Sequence, residues 1–422
     1  MEKMSNTSET RRRQMEKRQE MIEKRRQQRM REVRRNRMIL AASLAAIVLI
    51  IVLVVVLSKG GSDKKKTDVS TSKSKVSGTN GVSSEVKKDD TGNDGATAVE
   101  TASVADASST DAEEKDFDLK MTFVGDCCMA TNLENKGYGT LLWYEENYPT
   151  TYFFDGVRSY FEDDDITIAN CENTFSDSSI GPRDKGDDIA FWFKAPMRFA
   201  KVFTDNNIEA VTINNNHTND YGPEVFEDTK KALDDAGVEW GFRDKIIYYE
   251  KEGFKIGVVC VSYYYYEEAE GIIPYLEEAE KNSDFQIIFF HGGVEGQYQP
   301  EDWKVQACHM LVDEGADLII GSHPHVLQKR ENYNGVDIVY SMGNFCFGGN
   351  DHPGSNRTII YKYNLKIHSK GDEKEVVDKQ EEIIPCYVYT GGTNNWQPAP
   401  IDDAETADRV VKFMNGELDS PN

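Results

Sequence analysis

A chain of 422 residues with 49 Lys+Arg against 73 Asp+Glu carries a formal net charge of −24. Such a polypeptide repels nucleic acid, so no nucleic-acid partner is expected, and its length allows two or three domains. The charge is unevenly spread: residues 1–37 hold fourteen basic side chains against six Glu, residues 38–57 hold no charge, and the acidic excess lies beyond.

Taken in chain order, residues 1–37 form a basic segment, expected to be helical over 10–37 and cytoplasmic. It reads either as a polybasic patch for the anionic inner leaflet or as a topology determinant with a solvated face. Residues 38–57, MILAASLAAIVLIIVLVVVL, lack charge, Pro and Gly. About 20 apolar residues span a hydrocarbon core, so this is expected to be one transmembrane helix acting as an uncleaved signal-anchor. The Arg-rich side should stay inside, which places the C-terminal body outside the cell. Residues 58–116 contain no aromatic residue, Leu, Ile, Pro or Cys. They cannot bury enough apolar surface to offset chain entropy and are expected to be a disordered linker.

From Phe117 the pattern changes. Strand-like apolar runs occur at 119–124, 166–169, 209–213, 255–261, 285–290, 318–320 and 337–340, with further strands at 358–367 and 381–389. Helical patterns lie between them. Pro223–Ala236 opens with Pro in its first turn and closes at Gly237, and Glu301–Glu314 precedes Gly315. The alternation predicts an α/β domain over 117–395, with a central sheet flanked by helices, followed by a polar C-terminal tail over 396–422. Seven cysteines occur, an odd number without CxxC pairs, so neither a full disulfide framework nor a Cys-based zinc site is expected. A Walker A loop and a GxSxG elbow are likewise absent from the sequence.

The informative residues follow the strands. The run 119–124 leads to Gly125-Asp126, 166–169 to Asn170-Cys171-Glu172, and 209–213 to Asn214-Asn215-Asn216-His217. The run 285–290 leads to His291-Gly292-Gly293-Val294-Glu295, and 318–320 to Gly321-Ser322-His323-Pro324-His325. Ligands in α/β sheets bind beyond the carboxyl ends of strands, so these groups should converge on one rim. Carboxylate, amide and imidazole donors together suit Mn, Fe, Zn or Ni better than Ca. A carboxylate such as Glu172 can bridge two cations, and two cations ~3.5–4 Å apart can clamp the attacking and leaving oxygens of a phosphoryl transfer. Taken singly, Asp126 and Asn170 also suit turn or helix caps, and His217 suits a hydrogen-bonded loop histidine. Arg183, Lys185 and Lys194 suit either an anionic substrate or the balancing of nearby acids. Tyr263–Tyr266 suit either a cleft wall or core packing.

VGDCCMA, IANCENTFS, FWFKAP, INNNHTNDYG, HGGVEGQYQP, GADLIIGSHPHVLQ and YSMGNFCFG resemble the successive motifs of the CapA family, bacterial poly-γ-glutamate capsule synthesis proteins. The resemblance covers residues 119–349 and implies a fold similar to calcineurin-like metallophosphoesterases. It implies divalent metal ions, held by Asp126, Glu172, Asn216, His291, His323 and His325, with His217 as the catalytic imidazole. Cys128 stands where phosphoesterases commonly have the His of Asp-x-His. Gly292 stands where the family usually has Trp, which implies a more open cleft. The function implied is biosynthesis or export of capsule polymer. That function is either a metal-dependent hydrolase acting on the anionic polymer or a phosphoester, or a non-catalytic factor within a membrane capsule-synthesis complex.

Overall fold

A computed structural model of the chain describes Lys24 and residues 114–186, 190–371 and 373–422. The expected transmembrane helix 38–57 and nearly all of the basic segment and the linker lie outside these residues. Among the described residues no helix is long and apolar enough to cross a membrane.

The fold is mixed α/β, and its strands form two large sheets rather than one. In the first, β1 (Glu114–Cys128) runs parallel to β3 (Ile166–Cys171), which is followed by β6 (Ala210–Thr212) and β7 (Glu239–Gly241). On the other side of β1 lie the antiparallel β15 (Thr358–Lys370), β16 (Glu373–Tyr387) and β17 (Ala399–Pro400), while β14 (Asn344–Phe347) pairs with the end of β1. The second sheet has at its centre the parallel β9 (Phe254–Ser262), β10 (Phe285–His291), β11 (Leu318–Ser322) and β13 (Val336–Met342). Antiparallel β8 (Ile247–Lys251) and β12 (Leu327–Tyr333) form its edges. A small third sheet joins β2 (Thr131–Asn132), β5 (Phe193–Ala195) and β4 (Thr174–Phe175).

Alternation within the strands explains the layering. In β10, Phe285, Ile287 and Phe289 enter one core cluster, and Ile288 and Phe290 enter another. The first cluster also takes Leu119, Met121 and Phe123 from β1, so it fills the space between the two sheets. Phe123 and Phe289 meet there edge to face at 6.3 Å. Successive side chains on a strand point to opposite faces, so a strand buried on both sides reads as a continuous apolar run. That is why sequence alone suggested one sheet: the runs carry no sign of which sheet they join. The outer face of the second sheet is covered by the helices Ile273–Asn282 and Asp302–Asp313, and the first sheet by Pro223–Ala236 with short 3-10 turns. The Pro223–Ala236 boundaries follow from Pro at its start and from Gly237, whose φ of 71° provides the left-handed cap.

The expected linker ends earlier than the composition implied, because Glu114–Asp116 already pair with His368–Lys370. The segment 396–422, expected to be a polar tail, is part of the fold. Trp396 is buried, and the helix Ala404–Met414 buries Val410, Phe413 and Met414 in the inter-sheet core. Its apolar residues recur at helical spacing, which the polar average of the segment concealed.

Candidate metal centre

The carboxyl ends of the parallel strands place two rows of polar residues opposite each other. Asp126, Asn170 and Thr212 are register neighbours in the first sheet; Ser262, His291 and Ser322 are register neighbours in the second. Gly125 allows this arrangement at the end of β1, since a Cβ there would lie 2.0 Å from the carbonyl oxygen of Gly343. Asp126 N–H donates to that same oxygen at 2.9 Å.

Asn170 joins the rows. Its Nδ2 lies 2.8 Å from Asp126 Oδ1, 3.3 Å from Glu172 Oε2 and 3.1 Å from His291 Nδ1. Its orientation is set by Asn215, whose Nδ2 donates to Asn170 Oδ1 at 3.2 Å and to Cys171 O at 2.8 Å. His291 Nε2 lies 2.8 Å from Asn216 Oδ1 and 2.9 Å from His323 Nδ1. His325 Nδ1 meets Asn344 Oδ1 at 2.9 Å and Asp126 Oδ2 at 3.4 Å, and its Nε2 lies 3.6 Å from Glu172 Oε1.

The ligand atoms form groups. Glu172, His291 and His323 are mutually within 4.8 Å, as are Asp126, Glu172 and His325, and Glu295, His323 and His325. Glu172 belongs to the first two, and its Oε1 is buried without any hydrogen-bond partner. A buried acceptor left unsatisfied costs about 1–3 kcal/mol. A cation on either side of Glu172 would remove that cost, so the donor set fits a pair of divalent cations bridged by this carboxylate. With Asn216 Oδ1 beside His291, one position has four protein donors; the Asp126 side has three.

Burial and mutual charge shape the protonation of these groups in the absence of a cation. Burial pushes Glu172 well above the usual carboxylate range, aided by the Asp126 charge. Burial pushes His291 well below the usual range and His323 down to about 3, with neighbouring imidazoles adding to both. At His325 burial opposes charge, yet Glu172 and Asp126 lift it to about 10. His291 and His323 are thus neutral and free to ligate, whereas His325, held charged by the carboxylates, becomes a donor only by releasing its proton when a cation binds. His323 and His325 both have positive φ, 101° and 57°. Such backbone costs of order 1–3 kcal/mol per residue and clusters at functional sites.

His217 sits next to this cluster. Its Nδ1 meets Asp220 Oδ2 at 2.8 Å, and its Nε2 lies 3.9 Å from Glu172 Oε1. Asp220 is fixed in turn by Phe193 N–H at 2.7 Å and Lys185 Nζ at 2.5 Å. Burial lowers the His217 pKa against the opposing pull of Asp220. The arrangement directs Nε2 toward the ligand cluster in a tautomer set by a carboxylate.

Residues 120–349 match the family described as bacterial capsule synthesis protein PGA_cap. The chain belongs to that family. It is 30% identical over 312 residues to the PGA biosynthesis protein CapA of Bacillus subtilis, covering 67% of this chain and 74% of the relative. To the capsule biosynthesis protein CapA of Bacillus anthracis it is 24% identical over 321 residues, covering 70% and 72%. Among solved structures it is similar to a phosphatase from Mycoplasma pneumoniae, at 13% identity and TM-score 0.37, covering 64% of this chain and 94% of that one. It is similar also to the calcineurin-like phosphoesterase YfkN of Bacillus subtilis, at 15% identity and TM-score 0.37, covering 64% and 91%.

All seven residues singled out from the family motifs, Asp126, Glu172, Asn216, His217, His291, His323 and His325, come together here. Cys128 belongs to none of these ligand groups. It is fully buried in the core, with Sγ toward Ala130 O at 3.6 Å, and burial pushes its thiol well above the usual range. Gly292 does not open the cleft. A Cβ there would lie 1.9 Å from Tyr263 O, so the position faces backbone and has room for no side chain. Lys185 and Lys194 are committed to Asp220 and to Ser178 O, Ile180 O and Glu134. The tyrosine run divides: Tyr263 packs on Phe290 in the core, while Tyr264 lies edge-on to His323 at 5.2 Å. Sequence reasoning missed Asp220 and Asn344, although both lie inside the quoted motifs INNNHTNDYG and YSMGNFCFG. The i+3 spacing of Asp220 from His217 was the available signal; the pairing of Asn344 with Asp126 arises only in the fold.

Proposed function

We propose that the chain is a membrane-anchored extracellular protein of capsule polymer (poly-γ-glutamate) biosynthesis or export, with a two-cation, phosphoesterase-like hydrolytic site. The names of its relatives support the capsule role. The uncharged run 38–57 behind a basic head supports the anchor and its orientation. The observation that carries the site reading is Glu172: a bare, buried carboxylate oxygen shared by two ligand groups.

Asp126, Glu172 and His325 would hold one cation, and Glu172, Asn216, His291 and His323 the other. Such a pair supplies polarisation of a substrate oxygen and an activated water to a displacement. The protein's own part is positional. Asn170 and Asn215 hold the two sheet edges together, and Asn344 orients His325. Asp220 orients His217, whose Nε2 is placed to give a proton to a leaving group or to hold developing negative charge.

The second reading is a non-catalytic assembly or export factor in a membrane capsule complex. Cys128 favours it, because the Asp126 side then has three protein donors rather than four. Cation content of the purified protein, with a screen of phosphoesters and γ-glutamyl peptides, separates the two. Turnover that depends on cation and on His217 supports the enzyme. Bound cation without turnover on any of these substrates, together with undiminished capsule output from His217→Ala, supports the assembly factor. Location is tested by protease added to wall-stripped cells: loss of residues 117–422 with protection of the basic head is expected, and protection of the C-terminal domain contradicts it.

A further inference from the structure

A cavity of about 390 Å³ opens beside the ligand cluster, lined by residues that include Asn214, Arg243, Ser262, Tyr264, Ile272 and Tyr275. It adjoins the cluster on two sides. Ser262 is the register neighbour of His291, and Tyr264 stands edge-on to His323. Most of its polar lining is already engaged. Ser262 Oγ donates to Asn214 Oδ1 at 2.9 Å, Asn214 Nδ2 donates to Cys260 O at 3.2 Å, and the lining Glu268 accepts Tyr264 N–H at 2.7 Å. Two groups are not. Among the described residues the exposed Arg243 guanidinium meets the Phe242 ring, at 5.4 Å, and no carboxylate pairs with it. The Tyr264 hydroxyl is buried without a hydrogen-bond partner.

Both loose ends suit one kind of ligand. In a chain of net charge −24, an unpaired guanidinium at a cavity wall attracts an anion, and its fork matches a carboxylate. Its backbone is fixed in the left-handed region at φ 50°, with its N–H on Cys260 O at 2.7 Å, so the side chain springs from a set position. We propose that this cavity takes a carboxylate-bearing arm of the substrate, anchored by Arg243. The Tyr264 hydroxyl donates to the ligand where the cavity meets the cation cluster. The proposal rests on the polymer reading above, since every unit of a γ-linked glutamyl chain carries a free carboxylate. Val261, Ile272 and Tyr275 would line its methylene stem.

The test is calorimetric titration of the full-length, cation-loaded chain with three probes: a γ-linked glutamyl pentamer, its α-carboxamide counterpart, and glutarate. The acid pentamer should bind at least roughly 10-fold tighter than the amide, the scale of a charge-assisted hydrogen bond. Arg243→Gln should erase that preference without changing cation content. Tyr264→Phe should weaken the acid pentamer about 2- to 10-fold without lowering Tm, because it deletes a hydroxyl that is unsatisfied in the free protein. Equal pentamer binding by Arg243→Gln would overturn the cavity assignment and leave the polymer reading intact. Arg243-dependent binding of glutarate without pentamer binding would support the carboxylate site and overturn the polymer as its ligand. Binding of neither probe overturns both.

Discussion

Nε2 of His291 and Nδ1 of His323 face each other at 2.9 Å inside the protein. Both rings are held neutral by burial. One must therefore donate to the other, or both must turn lone pairs toward a shared cation. Asn216 Oδ1 and the bare Glu172 Oε1 complete the second arrangement.

A divalent cation should then stabilise the folded chain. At a hundredfold excess over Kd the gain is about 2.7 kcal/mol, so Mn²⁺ or Zn²⁺ should raise Tm by several degrees and chelation should reverse it. A Tm indifferent to cation and chelator would remove the basis for the ligand groups.

On the proposed division of roles His217 serves chemistry rather than ligation. His217→Ala should leave cation content nearly unchanged and lower any phosphoester turnover by ~10²–10⁴-fold. Asp220→Asn should change the pH profile of that turnover, because Asp220 sets the tautomer at Nδ1. Cation loss in His217→Ala equal to that in His291→Ala would show that His217 is a ligand instead.

The five strand ends and the six candidate ligands were legible in the sequence because chemistry-bearing residues there follow apolar runs directly. The sequence did not show how the runs divide between two sheets, since β9, β10 and β11 are buried on both faces and carry no polar alternation. Nor did it rank Asn170 above a turn cap, because its role depends on His291, 121 residues away. Arg243 escaped notice for a similar reason: it lies far in sequence from every motif and reaches the site only through the turn before β8. The sequence shows Gly292 only as a missing side chain, whereas its close approach to Tyr263 O is a property of two neighbouring strand ends.

That approach gives a further test. Gly292→Ala should destabilise the fold by about 1–3 kcal/mol or more, since backbone rather than a flexible side chain must yield. A Tm unchanged by this substitution would contradict the packing of β9 against β10.

Away from the site, Glu331 accepts from His309 Nε2 and Tyr340 OH, each at 2.5 Å. The His309 hydrogen bond, reinforced by Tyr340 and opposed by burial, holds its pKa below the usual 4.5. A carboxylate with a depressed folded pKa stabilises the fold above its unfolded pKa and loses that contribution as pH falls through the folded one. The Tm gap between wild type and Glu331→Gln should therefore shrink as pH falls below the ordinary carboxylate range. A gap that widens on acidification would reverse the assignment.

Cation stoichiometry, measured by elemental analysis of the purified full chain and of Glu172→Ala, His291→Ala and His325→Ala, tests the shared carboxylate most directly. Two cations per wild-type chain are expected. His291→Ala and His325→Ala should each lose the cation on their own side of Glu172 first, and Glu172→Ala should lose both. A single cation in wild type, or two retained in Glu172→Ala, would contradict a bridging role for Glu172.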